Sequence, residues 1–424
     1  MMLFLLSCNQ TNPGLDEANA GVLQLEQFQA WGGSYTAGFG QAGWEPRGLP
    51  GLHDEGQKNA FPVLLAQQFE LTGRLTDYAG GWLSLDGSGR YEFTNLVPAP
   101  CEDVSPKVSR TLQPAHQAWN RPWIGPLSNF GLPHLSVGEL DDPDLAAHNP
   151  FAPRLNLDQS YLEAMRSQRG GFSLLWIGAG DLLPFAMTGA ANISYGASNP
   201  ADFARLYAKA LKALSTNRVG PIHILVGNLP DFTRFPFFQT LPHQYISTED
   251  CNRSTRPIYY YTDQVNDALI AESDDLILLT AESKLGISNS LPGLVGLHRE
   301  NPLPDDLVLD QAEVLQVRDV IHTYNSIIDS VATAFNDSAG YQAIAVADMF
   351  SVFENLSGGI ISEGAYVSTE YLEGNIFEAD GLYFSPKGNA FVANEFIRTI
   401  NDLDEWEAQV PLLNLADYPG VRYP

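Results

Sequence analysis

No stretch of this chain approaches the roughly 20 consecutive apolar residues of a membrane-spanning helix, so no span is expected. Basic residues are few: 23 Lys and Arg stand against 50 Asp and Glu in 424 residues, a formal net charge of −27. The cations are scattered, which argues against nucleic acid or an anionic membrane surface held by charge. Such acidity suits solubility, tolerance of salt, or contact with cations or a basic partner, and does not choose among them. Cysteine is also scarce, at three residues. There is no Cys-x-x-Cys and no His-x-x-x-His spacing, so neither a metal site nor a cofactor is expected.

What is present is globular in composition, with 44% hydrophobic and 11% aromatic residues. The length suits one large domain or two ordinary ones. Met1 to Leu6 resembles the end of a signal-peptide apolar region, without its basic start. Leu5-Leu6-Ser7-Cys8 resembles a bacterial lipoprotein box, in which Cys8 becomes the lipidated first residue of the mature protein. Residues 1–19 are therefore expected to be a signal remnant and a flexible tether, and 20–424 a single domain. Cys101 and Cys251 are then left as a pair. In an exported protein such a pair is a possible disulfide, closing a long loop. Each lies in an irregular polar segment, CED or CNRST, unlike a core cysteine.

The chain is organised around Phe28 to Gly43, FQAWGGSYTAGFGQAG. A short apolar run leads into two glycines, Ser34, and a small-residue segment able to start a helix. Such a strand-to-helix turn lifts a serine hydroxyl toward free N–H groups at the helix N-terminus. Helical spacing then marks Asn59 to Glu70. Residues 76–127 are broken by Gly, Pro and Trp and form a first surface insertion, with a possible hairpin from Trp82 to Phe93. A short helix follows at Tyr161 to Gln168.

Phe172 to Ile177 is nearly all apolar, as a parallel strand covered on both faces would be. It leads into Gly178-Ala179-Gly180-Asp181. Ala201 to Thr216 is amphipathic, and Pro221 to Phe232 is the next strand, carrying His223 as a hydrogen-bonded sheet residue. Residues 233–304 form a second irregular excursion. Ala312 to Phe335 is a long helix, Ala343 to Phe350 a further strand, and a last helix begins near Lys387. Alternating helix and strand implies βαβ units and a parallel sheet.

Three short segments now stand in order: a Gly-x-Ser turn, a Gly-x-x-Asp turn, and Asp380-Gly381-Leu382-Tyr383-Phe384-Ser385-Pro386 before the last helix. With NFGLP, LLWIGAGDLL, GNLPDFTRFPFF, DGLYFSPKGNAFVANEFI and VPLLNLADYPGV, this resembles the SGNH (GDSL) hydrolase family. It looks most like lipoprotein members from Bacteroidetes-type outer membranes. The resemblance runs from about Phe28 to Pro424. It implies a three-layer α/β/α flavodoxin-like fold with a parallel central sheet and long surface insertions.

The resemblance assigns Ser34 to the nucleophile, Gly131 to an oxyanion-binding N–H, and Asp380 to the triad acid. Two positions depart from the family pattern. Gly180 stands where an asparagine donates to the oxyanion, and Tyr383 stands where a histidine serves as base. The first turn also lacks its polar residue, with Gly33 beside Ser34. A serine is a weak nucleophile without an adjacent base, and a tyrosine with a reference pKa near 10 is protonated at neutrality. Losing a triad member costs several orders of magnitude in rate, and losing one oxyanion donor a further ~10²–10³.

The implied reading is a catalytically inactive lipoprotein that binds or scaffolds at the bacterial outer membrane, with a β-barrel partner and no nucleic acid. An alternative is an active esterase using Ser34 and a non-standard base, for which His134, just past Gly131, is the candidate. A third is a carbohydrate-binding module, served by Trp31, Trp44, Trp82, Trp119, Trp123 and Trp176. Asp181 is expected to fix the turn after its strand. PIYYY and FPFF divide between core and partner surface. Glu272, Asp274, Asp275, Asp305 and Asp306 are expected to be solvated.

Overall fold

The computed structural model describes residues 17–40, 54–75, 77–81, 90–97, 107–113, 121–157, 159–191, 198–218, 220–246, 255–262 and 265–421. Cys8, Cys101 and Cys251 lie outside these residues, as do Trp44, Trp82 and Trp119. The chain folds as a mixed α/β structure.

Its centre is a parallel sheet of four strands: β1 (Gln29–Gly32), β2 (Phe172–Trp176), β3 (His223–Gly227) and β4 (Ile344–Ala347), side by side in that order. Every residue of β1, β2 and β3 is buried, which is why their sequences run apolar instead of alternating. The outer edge of β1 carries a parallel bridge from Ala30 to Asn129. Backbone bonds from Ala30 N–H to Ser128 O (2.9 Å) and from Leu132 N–H to Gly32 O (2.9 Å) lay residues 128–132 along β1. This brings that loop to the strand end that carries Ser34.

The helices are α1 (Ser34–Ala37), α2 (Phe61–Leu71), α3 (Tyr161–Ser167), α4 (Ala179–Ala186), α5 (Pro200–Leu214), α6 (Gln311–Ala339), α7 (Met349–Leu356) and α8 (Pro386–Asn401), with several shorter turns between them. One group packs α2 on α8; another packs α3 on α5 and α5 on α6; α6 and α8 both rest on β4. Among the described residues, no helix is long and apolar enough to cross a membrane.

Local chemistry sets the helix ends. α5 starts at Pro200 after Asn199, whose side chain accepts the Ala201 N–H. α6 opens with a capping box between Asp310 and Glu313 and closes at Gly340 with φ +77°, so it outruns the expected Ala312 to Phe335 at both ends. The expected strand from Ala343 to Phe350 is cut short because Asp348 caps α7, its carboxylate accepting the Ser351 N–H at 3.2 Å.

Both expected insertions are more ordered than their composition implied. In the first, Arg90–Val97 pairs antiparallel with Lys107–Gln113, while residues 82–89 of the expected Trp82 to Phe93 hairpin lie outside the described residues. In the second, Phe235, Phe237 and Phe238 belong to the main core, while Ile258, Tyr260, Ile277, Leu303 and Val308 form a separate small core. The aromatic content of 233–304 thus serves packing at both ends. His223 departs from expectation: its Nδ1 is buried without a hydrogen-bond partner, and its ring packs edge-on against Trp406 at 5.5 Å.

Candidate functional site

β1 ends at Gly32, whose φ is +153°. A Cβ there would stand 2.2 Å from the Trp176 carbonyl oxygen and 2.4 Å from Thr36 Oγ1, so only glycine fits. The chain then turns through Gly33, and Ser34 becomes the first residue of α1. Its side chain is half-buried at the C-terminal end of the sheet.

Two groups meet the Ser34 hydroxyl. The backbone N–H of His134 donates to Ser34 Oγ at 3.0 Å. The Tyr383 phenol stands beside the same side chain, close enough for the hydroxyl to ease the phenol's titration. Tyr383 is fully enclosed: its ring meets Phe39 edge-on at 4.9 Å and Tyr35 at 5.8 Å, and its Cβ fills the space a Cβ on Gly40 would need. Burial, with the Asp380 carboxylate beside it, drives the Tyr383 pKa far above the usual tyrosine range. The phenol is therefore neutral and a donor at any physiological pH, not a base.

Asp380 braces its own loop. Its Oδ1 accepts the N–H groups of Leu382 (2.8 Å) and Tyr383 (2.9 Å). These bonds fix the backbone that carries Tyr383 toward Ser34.

The loop after residue 128 departs most from the sequence-based assignment. Gly131 does not present its N–H to the serine; that N–H donates to Asn129 Oδ1 at 2.9 Å. Position 131 is glycine because a Cβ would stand 2.3 Å from the Ala37 nitrogen. The N–H that reaches Ser34 belongs to His134, which adopts φ +62° to aim it there. The imidazole itself forms no hydrogen bond to Ser34. It is half-buried between Phe39 (4.9 Å) and Phe151 (5.9 Å), and burial lowers its pKa to about 4. His134 thus contributes backbone geometry to the site, and its ring is not the serine's base.

Gly180 is equally specific. A Cβ at this position would stand 2.2 Å from the Leu135 carbonyl oxygen. The loop therefore occupies the space a side chain at 180 would enter, and it turns an acceptor toward it. Gly33, by contrast, has room, with Leu135 O at 3.6 Å.

Several residues fasten this loop. Asp181 is buried, and its carboxylate accepts Val137 N–H (2.7 Å) and Gly138 N–H (3.4 Å) and bonds to Ser198. It anchors the loop to α4 instead of merely closing its own turn. Burial raises its pKa to about 6, against the pull of those bonds. Tyr161 accepts the Gly32 N–H at 3.1 Å and donates to Phe130 O at 2.6 Å. Arg154 is buried and donates to the carbonyls of Gly131 (2.8 Å) and Gly81 (3.3 Å). No carboxylate meets its guanidinium among the described residues, and burial lowers its pKa to about 10. Neither Tyr161 nor Arg154 carried a sequence signal, since each acts through backbone atoms distant along the chain.

The arrangement has a serine hydroxyl, one backbone N–H on it, and a neutral phenol. A general base and a side-chain oxyanion donor are both missing from the described surroundings of Ser34. Among the described tryptophans, Trp31 and Trp176 are core residues and Trp123 is half-buried, so they do not form a stacking platform. Asp275 is buried and caps backbone N–H groups of Glu272 and Gln311 at 2.9 Å each, contrary to a solvated role. No known protein family and no curated protein matches the chain.

Proposed function

We propose that this chain is a non-catalytic protein of the SGNH hydrolase type, with a three-layer flavodoxin-like arrangement, that works as a binding or scaffolding subunit. The reading rests on one observation: a buried, neutral tyrosine, Tyr383, stands beside the Ser34 hydroxyl where a base is needed. The Leu135 carbonyl beside Gly180 supports it, because an acceptor repels the negative charge that acyl transfer develops. The strand order, continued at the β1 edge by residues 128–132, supports the fold assignment.

On this reading Cys8 carries lipid, and the protein sits at the bacterial outer membrane on its periplasmic or surface face. Its partner there is a membrane-embedded β-barrel or the complex around one. The location rests on the N-terminal sequence, and the partner class on that location and on the resemblance to outer-membrane lipoproteins of this type.

The test is hydrolysis of short-chain aryl esters by the purified protein beside Ser34→Ala. Equal background rates are expected. Turnover that disappears in Ser34→Ala would overturn the proposal. Affinity capture from detergent-solubilised outer membranes tests the partner; recovery of this chain alone would count against it.

A further inference from the structure

Residues 285–297, LGISNSLPGLVGL, contain no charged side chain, in a chain whose net charge is −27. Within them, eight consecutive residues, 287–294, are exposed. Three are large aliphatics: Ile287 (51% exposed), Leu291 (52%) and Leu294 (37%). An exposed apolar group of this kind, on a surface otherwise rich in carboxylates, marks a contact with something apolar.

The segment is built to stay exposed. Leu291-Pro292-Gly293-Leu294 forms its tip, with Gly293 at φ +74°, the geometry of a turn with Pro second and Gly third. The turn sets Leu291 and Leu294 at its two corners. Ser288 and Leu294 form an antiparallel bridge, and Val295 N–H donates to Ile287 O at 2.9 Å. Leu291 N–H is taken by Asn289 Oδ1 at 2.9 Å. Buried Asn301 donates to Asn289 Oδ1 (2.8 Å) and to Gly293 O (3.0 Å). Below the tip, Leu285, Val295 and Leu297 pack on the small core. At the tip the Leu291 N–H and the Gly293 carbonyl are thus bonded from within, and at its base the Val295 N–H and the Ile287 carbonyl bond each other.

The surroundings of its base also matter. Lys284 and Arg256 are exposed and have no carboxylate partner among the described residues. Arg299 is paired with Asp267. Glu282 and Glu300 flank the segment in the chain, so among the described residues Lys284 and Arg256 are available to phosphate groups without a strong positive field.

We propose that this braced loop inserts its aliphatic tip into the interface of a phospholipid bilayer, giving the protein a membrane contact independent of any lipid on Cys8. The tip enters the headgroup and upper acyl region, while Lys284 and Arg256 reach lipid phosphates from above. Apolar insertion supplies the attraction, which reconciles membrane binding with a chain too acidic to be held by charge.

The experiment is co-sedimentation of the full chain carrying Cys8→Ser with phosphatidylethanolamine–phosphatidylcholine vesicles. Failure here therefore leaves the lipid-anchor reading untouched. Binding that changes little with added salt is expected. Leu291→Asp with Leu294→Asp should lower the bound fraction about tenfold or more at equal lipid, with an unchanged thermal transition. Leu291→Trp gives a second readout: its fluorescence should shift to the blue and be quenched by brominated lipid. Absence of vesicle binding, equal binding by the double variant, or an unshifted tryptophan would each overturn the proposal. Self-association lost in the double variant, without vesicle binding, would assign the loop to a second copy and also overturn it.

Discussion

The carbonyl oxygen of Leu135 lies 2.2 Å from where the first side-chain carbon of residue 180 would stand. The loop bearing His134 and Leu135 is thus packed down against α4, and glycine at 180 is the condition for that packing. Gly180→Ala should therefore destabilise the fold by about 1–3 kcal/mol, the range for forcing an atom into a filled site. Gly33→Ala meets nothing closer than 3.6 Å and should cost less than Gly180→Ala, its cost limited to holding alanine at φ −91° and ψ −145°. Urea unfolding of both variants checks this; equal effects would mean that the loop yields freely.

Because the Leu135 carbonyl fills the space beside Gly180, where a side-chain donor would stand, restoring the base alone should not restore chemistry. Tyr383→His is expected to show no ester hydrolysis above background. Tyr383→Phe should likewise show no turnover, with stability changed by no more than about 1 kcal/mol, the worth of one hydrogen bond. Turnover in Tyr383→His that depends on Ser34 would show that the Leu135 loop does not block an oxyanion.

Asp181 gives stability an unusual acid-side gain. Its folded pKa is about 6, above the ordinary carboxylate value. A raised carboxyl favours the folded state fully below the unfolded pKa, and that advantage fades as pH rises through about 6. The full effect of a shift from near 4 to about 6 is roughly 3 kcal/mol. Relative to Asp181→Asn, the parent should gain stability as pH falls from 7 to 4. A difference independent of pH, measured by urea unfolding across that range, would refute the assignment.

His134 acts in the opposite direction. Its folded pKa is lowered to about 4, so its contribution is complete above the unfolded value near 6.5 and lost as pH falls toward 4. The ring is half-buried and keeps part of its hydration, which limits the effect to about 1–2 kcal/mol. His134→Gly removes this dependence and relieves the φ of +62°. The parent should lose stability relative to the variant as pH falls from 7 to 4. A parent that gains on the variant over that range, in urea unfolding, would contradict this.

What the sequence determined by itself was whatever is written in neighbouring residues. An unbroken apolar run marked β2, while helical spacing of apolar residues marked α2 and α5. Paired glycines before Ser34 marked the turn that carries it. The departures at Gly180 and Tyr383 could be read as chemical losses without coordinates, because the missing groups are absent whatever the fold. Only the tertiary structure decided which backbone faces Ser34. The bond from His134 N–H to Ser34 joins residues 100 positions apart, whereas the backbone N–H expected to serve the site, for an oxyanion, was that of Gly131. The same holds for Arg154, Tyr161 and Asp181, which hold the loop by bonding backbone atoms far along the chain. The physical reason is range. Periodicity and capping are satisfied within a few residues, whereas the meeting of an N–H with a distant oxygen depends on how whole elements pack.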